Sequence, residues 1–126
     1  MRDRSFMMML AQQQRGSVVG WLLVLMCLVT STSSLLAQTV TWDGGAGTGN
    51  WADGANWDTN VAPVAGDDLV FTGSTQLSTT NNIATVDISF NSITFAAAAG
   101  AFTLAGSRIT LAGNITNSSS NNQTIS

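Results

Sequence analysis

The sequence predicts an all-β protein of short stacked strands that follows an N-terminal signal peptide. Beyond residue 37, apolar residues alternate with polar ones over short runs, as in strands with one buried face. Gly, Asn and Ser separate these runs, and the tetrapeptide TLAG recurs at 103–106 and 110–113. No stretch in this part of the sequence has a convincing helical period, so we expect short strands and turns and no helix.

The first 37 residues have the layout of a secretory signal. Arginines near the N-terminus are followed by an uncharged apolar run at 18–29 and then by small residues up to Ala37. A helix over 18–29 would span about 18 Å, well short of a hydrocarbon core of about 30 Å. We therefore predict a signal helix, cleavage between Ala37 and Gln38, and export to the medium or the cell surface.

The composition after the leader excludes several classes of function. One arginine, Arg108, stands against six aspartates, and this part has no Lys, His, Cys or Glu. Binding to nucleic-acid phosphates therefore has no electrostatic basis, and membrane association is expected only through the leader or a C-terminal anchor outside this sequence. Without a base for a serine nucleophile or a nitrogen or thiolate metal ligand, we predict no enzyme, metal or cofactor.

Residues 38–66 form a Trp- and Gly-rich region. A strand is expected at 39–42, and turn-forming Gly, Asn and Asp surround Trp42, Trp51 and Trp57. Buried together, the three rings would cap the open end of stacked strands, which is the interpretation we favour. Exposed, they would instead form a platform for an extracellular glycan, as in a carbohydrate-binding module.

Residues 67–126 form the strand-repeat region, which we expect to be incomplete at Ser126. The predicted inward residues are Leu69/Phe71, Val86/Ile88/Phe90, Ile93/Phe95, Phe102/Leu104 and Ile109/Leu111. The two TLAG copies fit either stacked coils of a solenoid or one β-hairpin, and the lack of a strong two-residue turn favours the solenoid. The Asn/Ser-rich tail, 114–126, is expected to form polar turns and corners of further coils.

The aspartates give little support for chemistry. Asp67 and Asp68 are adjacent, so on a strand they point to opposite faces and cannot act as an acid–base pair. Asp53, Asn56 and Asp58 miss the spacing of an EF-hand calcium loop. An aspartate-dependent polysaccharide-degrading enzyme is therefore the last-ranked interpretation.

Several motifs together resemble a known family. WDGG at 42–45, GNW at 49–51, NW at 56–57 and GDDLVF at 66–71 resemble the N-terminal start of bacterial autotransporter-associated β-strand repeat proteins. ISFNSITF at 88–95 and LAG at 104–106 resemble the first turns of their β-helical passengers. The resemblance implies a right-handed parallel β-helix, display outside the cell, and often a C-terminal outer-membrane barrel or sorting tail. The function that we expect is that of a non-catalytic structural or adhesin-like segment.

The leader generates a prediction on export. A reporter fused after residues 1–40 should leave the cytoplasm and be cut at Ala37–Gln38, because charge, apolar run and small residues follow the order that the export machinery reads. Cell fractionation and the mass of the reporter's N-terminal peptide measure both effects. An unprocessed reporter in the cytoplasm would contradict the prediction.

Overall fold

The computed structural model describes residues 36–126, which form one compact unit. The predicted signal helix lies outside the described residues. A short 3₁₀ turn covers Gly54–Asn56, and no helix within 36–126 is long and apolar enough to cross a membrane. The strands are β1 (Thr39–Trp42), β2 (Asp68–Phe71), β3 (Ser78–Asn81), β4 (Ile88–Phe90), β5 (Ser92–Phe95), β6 (Thr103–Gly106), β7 (Ile109–Leu111), β8 (Ile115–Asn117) and β9 (Thr124–Ile125).

The strands form three parallel sheets, which confirms the predicted all-β class. Sheet A has the order β1-β2-β5-β8, sheet B the order β3-β6-β9, and sheet C pairs β4 with β7. Strands β2, β3 and β4 therefore visit sheets A, B and C in turn, and β5, β6 and β7 visit them again in the same order. We call β2–β4 the first pass and β5–β7 the second pass.

In-register pairing stacks like side chains in the interior of sheet A. Val40 lies opposite Leu69, which lies opposite Ile93, while Trp42, Phe71 and Phe95 form the neighbouring row. All six side chains are buried, and the Phe71 and Phe95 rings stack at a centroid distance of 5.6 Å. The period-two pattern of the sequence thus places its apolar residues in one continuous core.

The sequence did not predict strand β3, because the inward residues of this strand are polar. Thr79 and Asn81 are buried, yet both have hydrogen-bond partners. Thr79 Oγ1 accepts a bond from the ring N–H of Trp51 at 3.0 Å, and Asn81 Nδ2 donates to the Ser107 carbonyl at 2.8 Å. Because these polar groups are satisfied, the strand avoids the usual penalty of burying them.

The alternation predicted ahead of β4 is wrong at Val86. It was expected to point inward with Ile88 and Phe90, but it is 82% exposed. The backbone of Asp87 has φ of 55°, the left-handed conformation, which breaks the period-two geometry of a strand. The strand therefore starts only at Ile88, and its two apolar residues are buried as expected.

The two TLAG copies neither pair as a hairpin nor stack on one another. The first forms β6 in sheet B, while the second begins within β7 in sheet C. Gly106, with φ of 107°, ends β6 and lets the chain turn from one sheet to the next. The seven-residue repeat thus supplies two neighbouring strands of the same pass.

The Asn/Ser-rich tail contains two short strands besides the expected turns. β8 pairs with β5, and β9 pairs with β6. The Gln123 side chain supports this segment, since its Oε1 accepts a bond from the Phe102 amide and its Nε2 donates to the Gly100 carbonyl. Backbone pairing to an existing edge therefore forms strands where the side-chain pattern is weak.

Gly106 should be essential for the change of sheet. A Cβ there would lie 2.7 Å from the backbone nitrogen of Asn81, and the positive φ is unfavourable for alanine. We expect Gly106→Ala to destabilise the fold by more than about 2 kcal/mol in urea unfolding, the sum of strain and steric overlap.

Gly73→Ala is the matched control, because Gly73 has φ of 69° but open space around its Cβ position. Strain alone predicts a loss of about 1 kcal/mol there. Equal losses in the two variants would show that the contact with Asn81 does not contribute.

Candidate functional site

Residues 42–60, which we call the tryptophan block, hold the predicted site residues Trp42, Trp51 and Trp57. The structure brings the three rings together. Trp57 contacts Trp42 edge-on at a centroid distance of 5.2 Å and Trp51 at 6.1 Å. Their relative exposures are 0%, 1% and 0%, so the rings belong to the core.

The polar edges of the rings are also satisfied inside the protein. Trp42 Nε1 donates to the Thr75 carbonyl at 3.3 Å, and Trp57 Nε1 donates to the Trp51 carbonyl at 2.9 Å. Trp51 is held by its bond to Thr79 Oγ1. A sugar-binding platform needs exposed ring faces. These rings have none, so the alternative interpretation of Trp42, Trp51 and Trp57 lacks its structural requirement.

Asn56 organises the turns between the rings, a role that sequence reasoning missed. Its side chain is fully buried; Oδ1 accepts a bond from the Ala46 amide at 3.0 Å, and Nδ2 donates to the Asn50 carbonyl at 2.9 Å. Its own carbonyl accepts bonds from the Asp43 and Gly44 amides. Nothing in the sequence separates this asparagine from the exposed ones around it, because burial depends on the fold of the whole block.

The tryptophan block covers one edge of two sheets. At the outer edge of β1, the Asp58 amide donates to the Thr41 carbonyl at 2.9 Å, and the Thr41 amide donates to Asp58 Oδ1 at 2.9 Å. At the outer edge of β3, the Thr80 amide donates to the Gly49 carbonyl at 2.7 Å, and the Trp51 amide donates to the Thr80 carbonyl at 3.0 Å. The block therefore pairs the outward backbone groups of Thr41 on β1 and of Thr80 on β3.

The opposite edge of the sheets is different. Within the described chain, β7, β8 and β9 each pair with a single strand. Ile115 is 52% exposed and Ile125 is 48% exposed, and both stand on these strands. A cavity of about 350 Å³ opens beside Ile125, and Trp51, Leu104 and Ile109 are among its other lining residues. We call this surface, formed by β7–β9, the open edge.

The aspartates act as separate hydrogen-bond acceptors. Asp67 Oδ2 accepts a bond from the Val64 amide at 2.8 Å, whereas Asp68 Oδ1 accepts bonds from the side chains of Asn91 and Ser92. The adjacent pair therefore serves different segments. Within 36–126, no three His, Cys, Asp or Glu residues are grouped so as to hold a metal ion.

Arg108 and Asp87 form a two-pronged ion pair between the passes. The guanidinium donates from Nε at 2.6 Å and from Nη2 at 2.8 Å. The hydrogen bond from Arg108 lowers the pKa of Asp87. Both groups are at the surface, so we assign them a modest part in stability.

The predicted processing site is accessible. Ala37 and Gln38 are exposed and immediately precede β1. The Gln38 amide donates to Asp67 Oδ1 at 3.1 Å, and the Gln38 carbonyl accepts a bond from the Asp68 amide at 2.8 Å. Among residues 36–126, the hydrogen bonds to later segments thus begin at the residue that we predict to follow the cleaved bond.

No family model, curated protein or solved structure matches this chain.

Trp51 separates a core role for the rings from a sugar-binding role. Trp51→Ala should destabilise the fold by roughly 3–5 kcal/mol, the usual effect of emptying a buried aromatic site. Trp51→Phe is the control, because it keeps an aromatic ring and removes the bond to Thr79. Thermal melts measure the change, and a glycan array on the same proteins measures binding. A stable Trp51→Ala variant that loses glycan binding would contradict the core role.

Proposed function

We propose that the exported part of this chain is the start of a right-handed parallel β-helix with a structural, adhesin-like role at a bacterial surface. It acts without catalysis. The observation that carries the proposal is the contrast between the edge covered by the tryptophan block and the open edge of β7–β9. A solenoid begins in this way: a capping segment covers its first edge, and the next coil covers the opposite edge.

The spacing of the strand partners supports the helical path. Asp68 lies opposite Ser92, and Ser78 lies opposite Thr103. The partners in these two pairings lie 24 and 25 residues apart, a spacing found in repeat architectures. Parallel strands joined by crossovers within one sheet are almost always connected with a right-handed turn, which agrees with the family resemblance.

The open edge has the composition expected of a surface that receives another coil. In sheet A, Ile115 continues the row of Val40, Leu69 and Ile93, and in sheet B Ile125 lies opposite Leu104. A further coil with aliphatic residues at these positions would bury both isoleucines and fill the cavity beside Ile125.

The absence of a catalytic grouping among the described residues gives the enzyme interpretation no support. Asp67 is buried and engaged by backbone amides, and Asp87 is paired with Arg108. A stalk or scaffold needs neither an acid–base pair nor a metal ion. A glycan or another cell-surface partner would then contact the outer faces of the sheets, where Ser and Thr side chains alternate with the core residues.

The open edge should make residues 38–126 self-associate when they are isolated. Unpaired strand edges and exposed aliphatic side chains favour pairing with a second chain. Sedimentation velocity should show oligomers for the wild-type piece and monomers for the double variant Ile115→Lys, Ile125→Lys, because charge at an edge opposes pairing.

Val86→Lys is the control for added charge, since Val86 is exposed but lies outside β7–β9. It should associate like the wild type. A wild-type piece that stays monomeric and melts cooperatively would mean that the domain is closed, and the β-helix proposal would be wrong.

A further inference from the structure

Asp67 is a buried carboxylate without a cation among the described residues. Its relative exposure is 0%, and its two oxygens accept bonds from the Gln38 amide at 3.1 Å and the Val64 amide at 2.8 Å. Arg108 is the single Lys or Arg residue in 36–126, and it is paired with Asp87. Two backbone amides are therefore the hydrogen-bond donors that the described residues provide to this carboxyl group.

A buried carboxyl group usually has more hydrogen-bond donors than these two, or a positively charged partner. A buried ionised carboxylate is strongly disfavoured unless it is paired with a positive charge or receives several hydrogen bonds. Each oxygen here receives one bond from a neutral donor. The donor to Oδ1 is the nitrogen of Gln38, the residue that we predict to become the first of the processed chain.

We propose that cleavage of the Ala37–Gln38 bond turns the Gln38 nitrogen into an α-ammonium whose counterion is Asp67. This inference rests on the export in the proposed function. Hydrolysis consumes one water: the C–N bond breaks, Ala37 leaves with a carboxylate, and the Gln38 nitrogen gains the protons that make it an ammonium. An atom that donates one neutral hydrogen bond becomes a cation with three N–H donors at the same carboxylate.

The position of this pair gives it a structural consequence. Gln38 immediately precedes β1, and its carbonyl accepts a bond from the Asp68 amide at 2.8 Å. The pair would therefore fasten the first strand of sheet A to the segment that leads into β2. Asp67 binds the new N-terminus. Removal of the leader therefore stabilises the domain that the leader exported.

The absence of lysine allows a direct test on the full chain. The sequence contains no lysine, so after processing the α-amino group is the only primary amine. We would export residues 1–126 with Gln38→Ala, which prevents cyclisation of an N-terminal glutamine and keeps the backbone contact. The mass of the product identifies the cleaved bond, and an amine-selective acetylating reagent then neutralises the ammonium.

Two measurements test the ion pair between the new α-ammonium and Asp67. Acetylation should be roughly tenfold slower in the folded chain than in the same chain unfolded in urea, the factor expected for a charge-assisted hydrogen bond. The acetylated protein should melt several degrees lower. With Asp67→Asn both effects should vanish, and with Asp68→Asn, the matched control, both should remain. The comparison with urea holds for the Asp67 protein even if Asp67→Asn does not fold.

The possible failures are distinct. A product that begins at Gln38 but acetylates equally fast when folded, with no change in melting, overturns the ion pair and leaves the export intact. A product cut at another bond also overturns the pair. A chain that stays unprocessed in the cytoplasm overturns both the pair and the proposed export.

Discussion

The aromatic contacts of Phe71 hold the structure together. Its ring packs against the three buried tryptophans at centroid distances of 5.7 to 6.0 Å, and against Phe95 and Phe102 at 5.6 and 5.3 Å. It thereby joins the tryptophan block to both passes. Because inward side chains repeat every second residue, a one-residue slip of β2 would turn Phe71 outward and lose all these contacts. The register of sheet A thus depends on this ring.

The sequence predicted the elements whose inward residues are apolar and failed where other interactions form the strand. β1, β2 and β5 follow from alternation, since Leu69, Phe71 and Ile93 are unmistakable. β3 is held by backbone pairing and the bonds of Thr79 and Asn81, which resemble a loop in composition. The left-handed backbone of Asp87 breaks the apolar–polar alternation before β4, so Val86 lies outside the strand. Such features depend on neighbours distant in sequence, and a local pattern does not contain them.

The candidate site was predicted in part. Aromatic composition identified Trp42, Trp51 and Trp57, and turn chemistry identified the loops around them, but only the three-dimensional arrangement shows which face of each ring is covered. The sequence places Asn56 among turn-forming residues and Asp67 beside Asp68 at a strand, and neither pattern predicts that both residues are buried. The sequence does not distinguish a buried polar residue from an exposed one. The role of such a residue is known only once its hydrogen bonds in the fold are known.

The one-way connection between the passes allows the protein to fold in sequence order. Every strand from β2 to β9 pairs with a strand that precedes it by one pass, or with one that follows. A chain that becomes free to fold from its amino end first can therefore complete the tryptophan block, β1 and the first pass before the second pass. Each later strand then docks on a template that is already folded. Each strand pairs with a partner 21 to 29 residues away in sequence, so assembly can proceed in one direction along the chain.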